Sequence, residues 1–230
     1  MIVAAVVCPH PPLLLRELCG AEDAVPDLRA ACASALARAL RDRPDAVVVV
    51  GGAEETRAWD PSLSPGVRRF GTTAAADTAV LPQSLGIGRR LLEEAGWDGP
   101  VRMHAVSWSA TPAELADTAR ALGSPRPEER MVLLVLADGS ARRGEKAPGH
   151  LDERAFGFDD EVACALAEGD AKALAGIDAE LAQELMAAGR AALGVLGEAA
   201  LQQGDTPRVD VLHRDDPFGV DYVVALWELA

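Results

Sequence analysis

Apolar residues along this chain come in two rhythms, one of continuous short runs and one of helical spacing, with polar or glycine-rich breaks between them. Residues 2–7 ("IVAAVV") are a short β-branched and alanine run. Pro9, Pro11 and Pro12 end it, because proline fixes φ and offers no backbone donor. Leu28, Cys32, Ala35, Leu36 and Ala39 then recur at helical spacing and predict a helix over residues 27–40. Residues 46–50 ("AVVVV") are uniformly apolar with glycines directly after them, as in a central strand buried on both faces.

Residues 84–95 read as a helix and 101–107 as a strand. Thr111-Pro112-Ala113-Glu114 is a capping box with proline at the first helical position, and its helix runs to Leu122 before Gly123 and Pro125. Residues 131–136 ("MVLLVL") are the next buried strand, opening into the polar loop 137–146. Two or three helices are predicted between residues 152 and 203, the last carrying Leu181, Leu185, Ala188, Ala192, Leu196 and Ala199 on one face. Residues 208–213 and 220–226, separated by Asp215-Asp216-Pro217-Phe218-Gly219, read as two antiparallel strands and a turn.

Strands alternating with helices predict an α/β fold: a single domain over residues 1–230, its central sheet mostly parallel and flanked by helices, with antiparallel strands at the C-terminal end. Residues 51–82, rich in Gly, Pro, Ser, Thr and Asp, predict long loops with one or two short strands, and loops of that length tend to be functional.

Composition narrows the function. With 230 residues, 49% of them hydrophobic, the chain can fill one large core. A formal net charge of −14 supplies no basic face for a polyphosphate, which argues against nucleic acid as a partner. The four cysteines form no CxxC pair and are too sparse for a disulfide scaffold, so a reducing compartment, the cytoplasm, is expected. The N-terminal apolar run lacks a basic flank and is broken by Pro9, so it reads as neither a signal peptide nor a membrane span, and no membrane partner is expected.

Candidate chemistry is positional. There is no HExxH, P-loop, GxGxxG or Cys/His zinc spacing. His10, the loop Gly51-Gly52-Ala53-Glu54-Glu55 and the loop 138–146 each follow a predicted strand, so a parallel sheet brings all three to one carboxyl edge. Glu54 and Glu55 can supply a carboxylate ligand or base; adjacent glutamates at a strand exit also read as a solvated loop. Arg142 and Arg143 can receive a carboxylate or phenolate by forked hydrogen bonds, or pair with Asp152, Glu153 or the run Asp159-Asp160-Glu161. His150 is a candidate proton donor to the same cleft or a surface loop histidine. His104 reads as a core or edge histidine and His213 as an ion-pair partner.

Together, the Pro9-His10-Pro11-Pro12 exit and the segments "VVVVGG", "LLVLADGS" and "HLDERAFGFDDEV" resemble the catalytic subunit family of class III extradiol ring-cleavage dioxygenases, called LigB-like. "DGSARR", "EKAPGHLDERA" and "DPFGVDYVVALW" look most like an actinobacterial branch of it. The resemblance implies a LigB-like fold and a non-haem Fe(II) held by two histidines and a glutamate, with a further histidine as acid/base and a catechol-like substrate opened by O₂. Such a three-ligand face leaves open positions for a chelating diol and dioxygen.

His10 matches the first ligand histidine of that family. The second ligand position falls on Gly51, Gly52 and Ala53, with Glu54 the nearest alternative; the acid/base position falls on Arg142 and Arg143; the ligand glutamate falls near Gly189 and Arg190, with Glu184 out of register. Two readings follow. One is an oxidoreductase with Fe(II) held by His10 and substitutes such as Glu54 or Glu55, acting on a small phenolic or anionic molecule guided by Arg142 and Arg143. The other is a metal-free small-molecule-binding protein or assembly subunit on the same fold. Both readings are compatible with a homo-oligomer or a partner subunit.

Overall fold

The computed structural model describes residues 1–19, 22–66, 80–123, 126, 128–204 and 206–229. In chain order these form β1 (Ile2–Cys8), α1 (Pro26–Leu40), β2 (Ala46–Ala53), β3 (Arg57–Trp59), α2 (Gln83–Glu94), β4 (Val101–Ser107), α3 (Pro112–Leu122) and β5 (Met131–Leu136). They continue with α4 (Arg154–Glu168), α5 (Ala171–Ala175), α6 (Ala179–Glu184), α7 (Arg190–Gln203), β6 (Arg208–Asp215) and β7 (Tyr222–Glu228).

One seven-stranded sheet has the order β3-β4-β2-β5-β1-β7-β6. The four strands β4, β2, β5 and β1 run parallel, while β3 at one edge and β7 and β6 at the other are antiparallel. This is the α/β architecture expected, with a parallel centre and antiparallel C-terminal strands. The continuous apolar runs have their reason in the layering. Val6, Val47, Val49, Val132 and Leu134 face α1 and α2 in one core, and Ala5, Val7, Val48, Val50, Leu133 and Val135 face α3 and α7 in the other. Trp227, fully buried in the second core, donates from Nε1 to the Leu166 carbonyl at 2.9 Å, so its one polar atom is satisfied. Among the described residues no helix is long and apolar enough to cross a membrane.

The capping box at Thr111 and Glu114 is present with both of its hydrogen bonds. β3 and an isolated bridge between Ser64 and Val80 fall in the predicted loop region; residues 67–79 of that region lie outside the described set. Four helices, rather than two or three, occupy the stretch between residues 152 and 203.

The single helical face drawn through Leu181, Leu185 and Ala188 to Ala199 is corrected by the structure. α6 ends at Glu184, Met186 takes φ +57°, and α7 begins only at Arg190. Tertiary hydrogen bonds replace the helical ones across the break. Gly189 N–H donates to the Asp138 carbonyl at 2.8 Å, and Ala141 N–H donates to the Leu185 carbonyl at 3.0 Å. A Cβ at Gly189 would lie 2.6 Å from that Asp138 oxygen, so only glycine allows the approach.

Candidate functional site

The carboxyl ends of the four parallel strands converge on one cleft. The β1–β5 register pairs Cys8 with Leu136, so His10 and Asp138, each two residues farther on, leave the sheet side by side. The β2–β4 register pairs Ala53 with Ser107 and so brings Glu54 and Trp108, each one residue on, to the same place. These residues, with Glu55, Arg57, Trp59, Gln83, Ser84 and Ala188, line a cavity of about 600 Å³.

His10 is held through its backbone. Its N–H donates to Asp138 Oδ1 at 2.7 Å, and its carbonyl accepts from Gln83 Nε2 at 3.2 Å. The side chain is 7% exposed, and its Nδ1 lies 3.4 Å from Asp138 Oδ1 without a hydrogen bond to it or to any other described group. A buried ring nitrogen with no partner is an exception to the pairing of buried polar atoms. An imidazole beside a carboxylate can take a proton from a bound molecule, with the carboxylate stabilising the imidazolium. α2 supplies the cavity floor: Ser84 Oγ donates to the Gly52 carbonyl at 2.8 Å.

The lining is acidic. Glu54, Glu55 and Asp138 face one guanidinium, that of Arg57, among the described residues of the cavity. Arg57 approaches Glu55 at 3.6 Å and stacks over the Trp59 ring with 3.6 Å from Cζ to the centroid. Glu54 is exposed and has no partner among the described residues.

The other predicted site residues stand elsewhere. Neither Arg142, Arg143 nor His150 lines the cavity. Arg143 is enclosed by acids: Nε donates to Asp216 Oδ2 at 2.6 Å, the guanidinium reaches Asp159 Oδ2 at 3.4 Å, and Asp221 Oδ1 stands at 4.0 Å. This is the ion-pair reading of that arginine, with Asp159 as one of its expected partners. Arg142 lies beside Asp152, whose carboxyl is held at about 2, chiefly by Arg154 and more weakly by Arg142. His150 takes φ +62°, and its Nδ1 meets the Glu145 carbonyl at 2.8 Å. Glu184 pairs with Arg154 at 2.6 Å on the surface. His104 sits on β4, where burial pushes its imidazole below its usual range.

Trp108 and the pairing of Asp138 with His10 escaped sequence reasoning. The available signal was that each follows a strand predicted to belong to the parallel sheet, Trp108 directly and Asp138 after one intervening residue.

The described residues do not fit a three-ligand Fe(II) centre. Among the described residues no three His, Cys, Asp or Glu side chains come together to hold a metal ion. The positions where the resemblance expects further ligands are closed by packing. A Cβ at Gly51 would lie 2.5 Å from the Ser84 side chain, and one at Gly52 would lie 2.6 Å from Trp108 Nε1 and 2.9 Å from the Ala188 carbonyl. Arg190 is buried and turned to the carbonyls of Ala110 and Ile177.

The fold has a solved counterpart. "Uncharacterized protein JW3007" from Escherichia coli K12, known as a crystal structure, shares 16% sequence identity with this chain, with a TM-score of 0.53 over 98% of this chain and 99% of that one. The likeness is one of fold. Neither a family model nor a curated protein matches the chain.

Proposed function

We propose that this chain is a metal-independent small-molecule-binding protein, related to the LigB-like dioxygenases, that receives its ligand at the His10–Asp138 pair. The observation that carries the reading is the buried His10 on the wall of the 600 Å³ cavity, its Nδ1 without a hydrogen-bond partner among the described residues. The ring stands on the cavity wall beside the Asp138 carboxylate, so a ligand there meets an imidazole already held in place. The closed positions at Gly51, Gly52 and Gly189 support metal independence. Four free cysteines support a reducing compartment, the cytoplasm in this reading.

The test pairs metal content with ligand response. Protein loaded anaerobically with Fe(II), desalted and measured by inductively coupled plasma mass spectrometry is expected to retain no stoichiometric iron. Retention of one iron per chain, lost in His10→Ala, would restore the dioxygenase reading with His10 and Glu54 as ligands. In a fragment screen, ligands of this cavity are expected to move the His10 imidazole signals in NMR, assigned by comparison with His10→Gln.

A further inference from the structure

A second cavity, of about 530 Å³, adjoins the first and shares Glu54, Trp108 and Ala188 with it. Its wall is largely apolar, built from Ala179, Ala182, Met186 and Ala187 together with the Trp108 indole. Arg190, the one cation lining it among the described residues, is buried and donates from Nε and Nη1 to the Ile177 and Ala110 carbonyls. Trp108 and Met186 are 52% and 46% exposed, although Trp227 and many large aliphatic side chains are fully buried. Met186 reaches this wall from a backbone at φ +57°, a conformation unfavourable for a residue with a Cβ. The break between α6 and α7 therefore builds an apolar shelf beside the polar cleft.

Charge selects what can lie across both. Glu54 stands where the cavities meet, without a partner among the described residues, and Glu55 and Asp138 add to it on the His10 side against one described cation, Arg57. An anion entering this cleft meets three carboxylates, whereas a cation is attracted by them and has the Trp108 indole as a neighbour. Independently of charge, the nearly fully buried His10 lines the polar end with its Nδ1 left without a hydrogen-bond partner among the described residues. We infer that the ligand of this cleft is an amphiphilic organic cation, its ammonium group beside Glu54 and the His10–Asp138 pair and its apolar chain lying over Trp108 onto the Met186 shelf. This rests on the small-molecule reading of the His10 cavity and names the ligand class for it. It replaces the phenolic or anionic molecule expected from sequence, because the arginines that would have guided an anion are not at the cleft.

Four probes at fixed pH and ionic strength test it: hexylammonium, ethylammonium, hexanoate and 1-hexanol, titrated calorimetrically into the full chain while the His10 imidazole signals are followed by NMR. Hexylammonium is expected to bind one per chain and about tenfold or more tighter than ethylammonium or hexanoate. Glu54→Gln should weaken hexylammonium about tenfold while leaving hexanol unchanged, and Trp108→Ala should weaken both. Hexanoate binding as well as hexylammonium, or indifference of hexylammonium to Glu54→Gln, would overturn the cation assignment. If hexanol moves the His10 signals and hexylammonium does not, the ligand class is wrong and the small-molecule reading of the cavity stands. If none of the four moves them, both are overturned.

Discussion

The loop that follows β5 enters two charged regions of opposite character. Its second residue, Asp138, lines a cleft where neither Glu54 nor His10 Nδ1 has a partner among the described residues. A few residues on, Arg143 is enclosed by Asp159, Asp216 and Asp221, and Arg214 adds bonds to Asp160 at 2.7 Å and to Asp221 at 3.1 Å. Ser140 donates to Asp159 from both its N–H and its hydroxyl. The second region spends its charges on itself and joins this loop to α4 and the β6–β7 turn. The first leaves charges facing a cavity. Density of charge in a sequence therefore does not separate a site from a brace; whether each charge finds a partner within the fold does.

The largest effect that sharpens this contrast is expected from Arg143→Ala. Removing the guanidinium takes the cation from the buried Asp159 carboxylate and leaves Asp221 with Arg214 alone among the described residues, and a loss of about 3–5 kcal/mol is expected in urea unfolding. An unchanged midpoint would put the arginine outside the brace and return it to the pool of ligand-binding residues. Asp138→Ala comes next. It removes the acceptor of the His10 N–H, so a loss of about 1–3 kcal/mol is expected together with a changed His10 imidazole environment, read by unfolding and by NMR.

A third effect is a pH slope. Burial, reinforced by the neighbouring Asp159, pushes the Asp221 carboxyl up to about 6. The folded chain thus holds this proton over a window in which an ordinary unfolded carboxyl, near 3.8, has released it, and the contribution of Asp221 to stability falls as pH rises from about 4 to 6. Asp221→Asn has no such proton to lose. Its thermal midpoint is expected to improve relative to the parent across that window, and parallel pH profiles would show that Asp221 is not held protonated. The smallest effect belongs to the cleft. Glu54→Gln, at an exposed position without a partner among the described residues, is expected to change stability by less than about 0.5 kcal/mol while altering ligand affinity. A large loss of stability in the same unfolding assay would show that Glu54 is part of the scaffold.

Much of this molecule was legible before its structure. The uniformly apolar runs at residues 46–50 and 131–136 belong to strands covered on both faces, and the prolines around His10 end β1 where predicted. A strand buried on two faces must be apolar at every position, so local composition suffices to recognise it. His10 and the Glu54 loop were placed at one sheet edge by the same logic, and both line one cavity.

Other features depend on partners distant in the chain. The break between α6 and α7 lies inside a helical pattern; what opens it is the Asp138 carbonyl, some fifty residues earlier, accepting the Gly189 N–H. Trp108 joins the site only because β4 pairs with β2 in a register that sets it beside Glu54. The closure of the space beside Gly52 needs both of these, since Trp108 and the Ala188 carbonyl fill it together. The assignment of Arg143 was decided by Asp216 and Asp221, which β6 and β7 carry in from the far end of the chain. The sequence by itself determined the layered sheet, its hydrophobic faces and the strand end at which His10 emerges, because those follow from local periodicity and from proline and glycine chemistry. The tertiary structure alone decided which charges are neutralised and which face a cavity, because pairing depends on distances that only the register of the sheet sets.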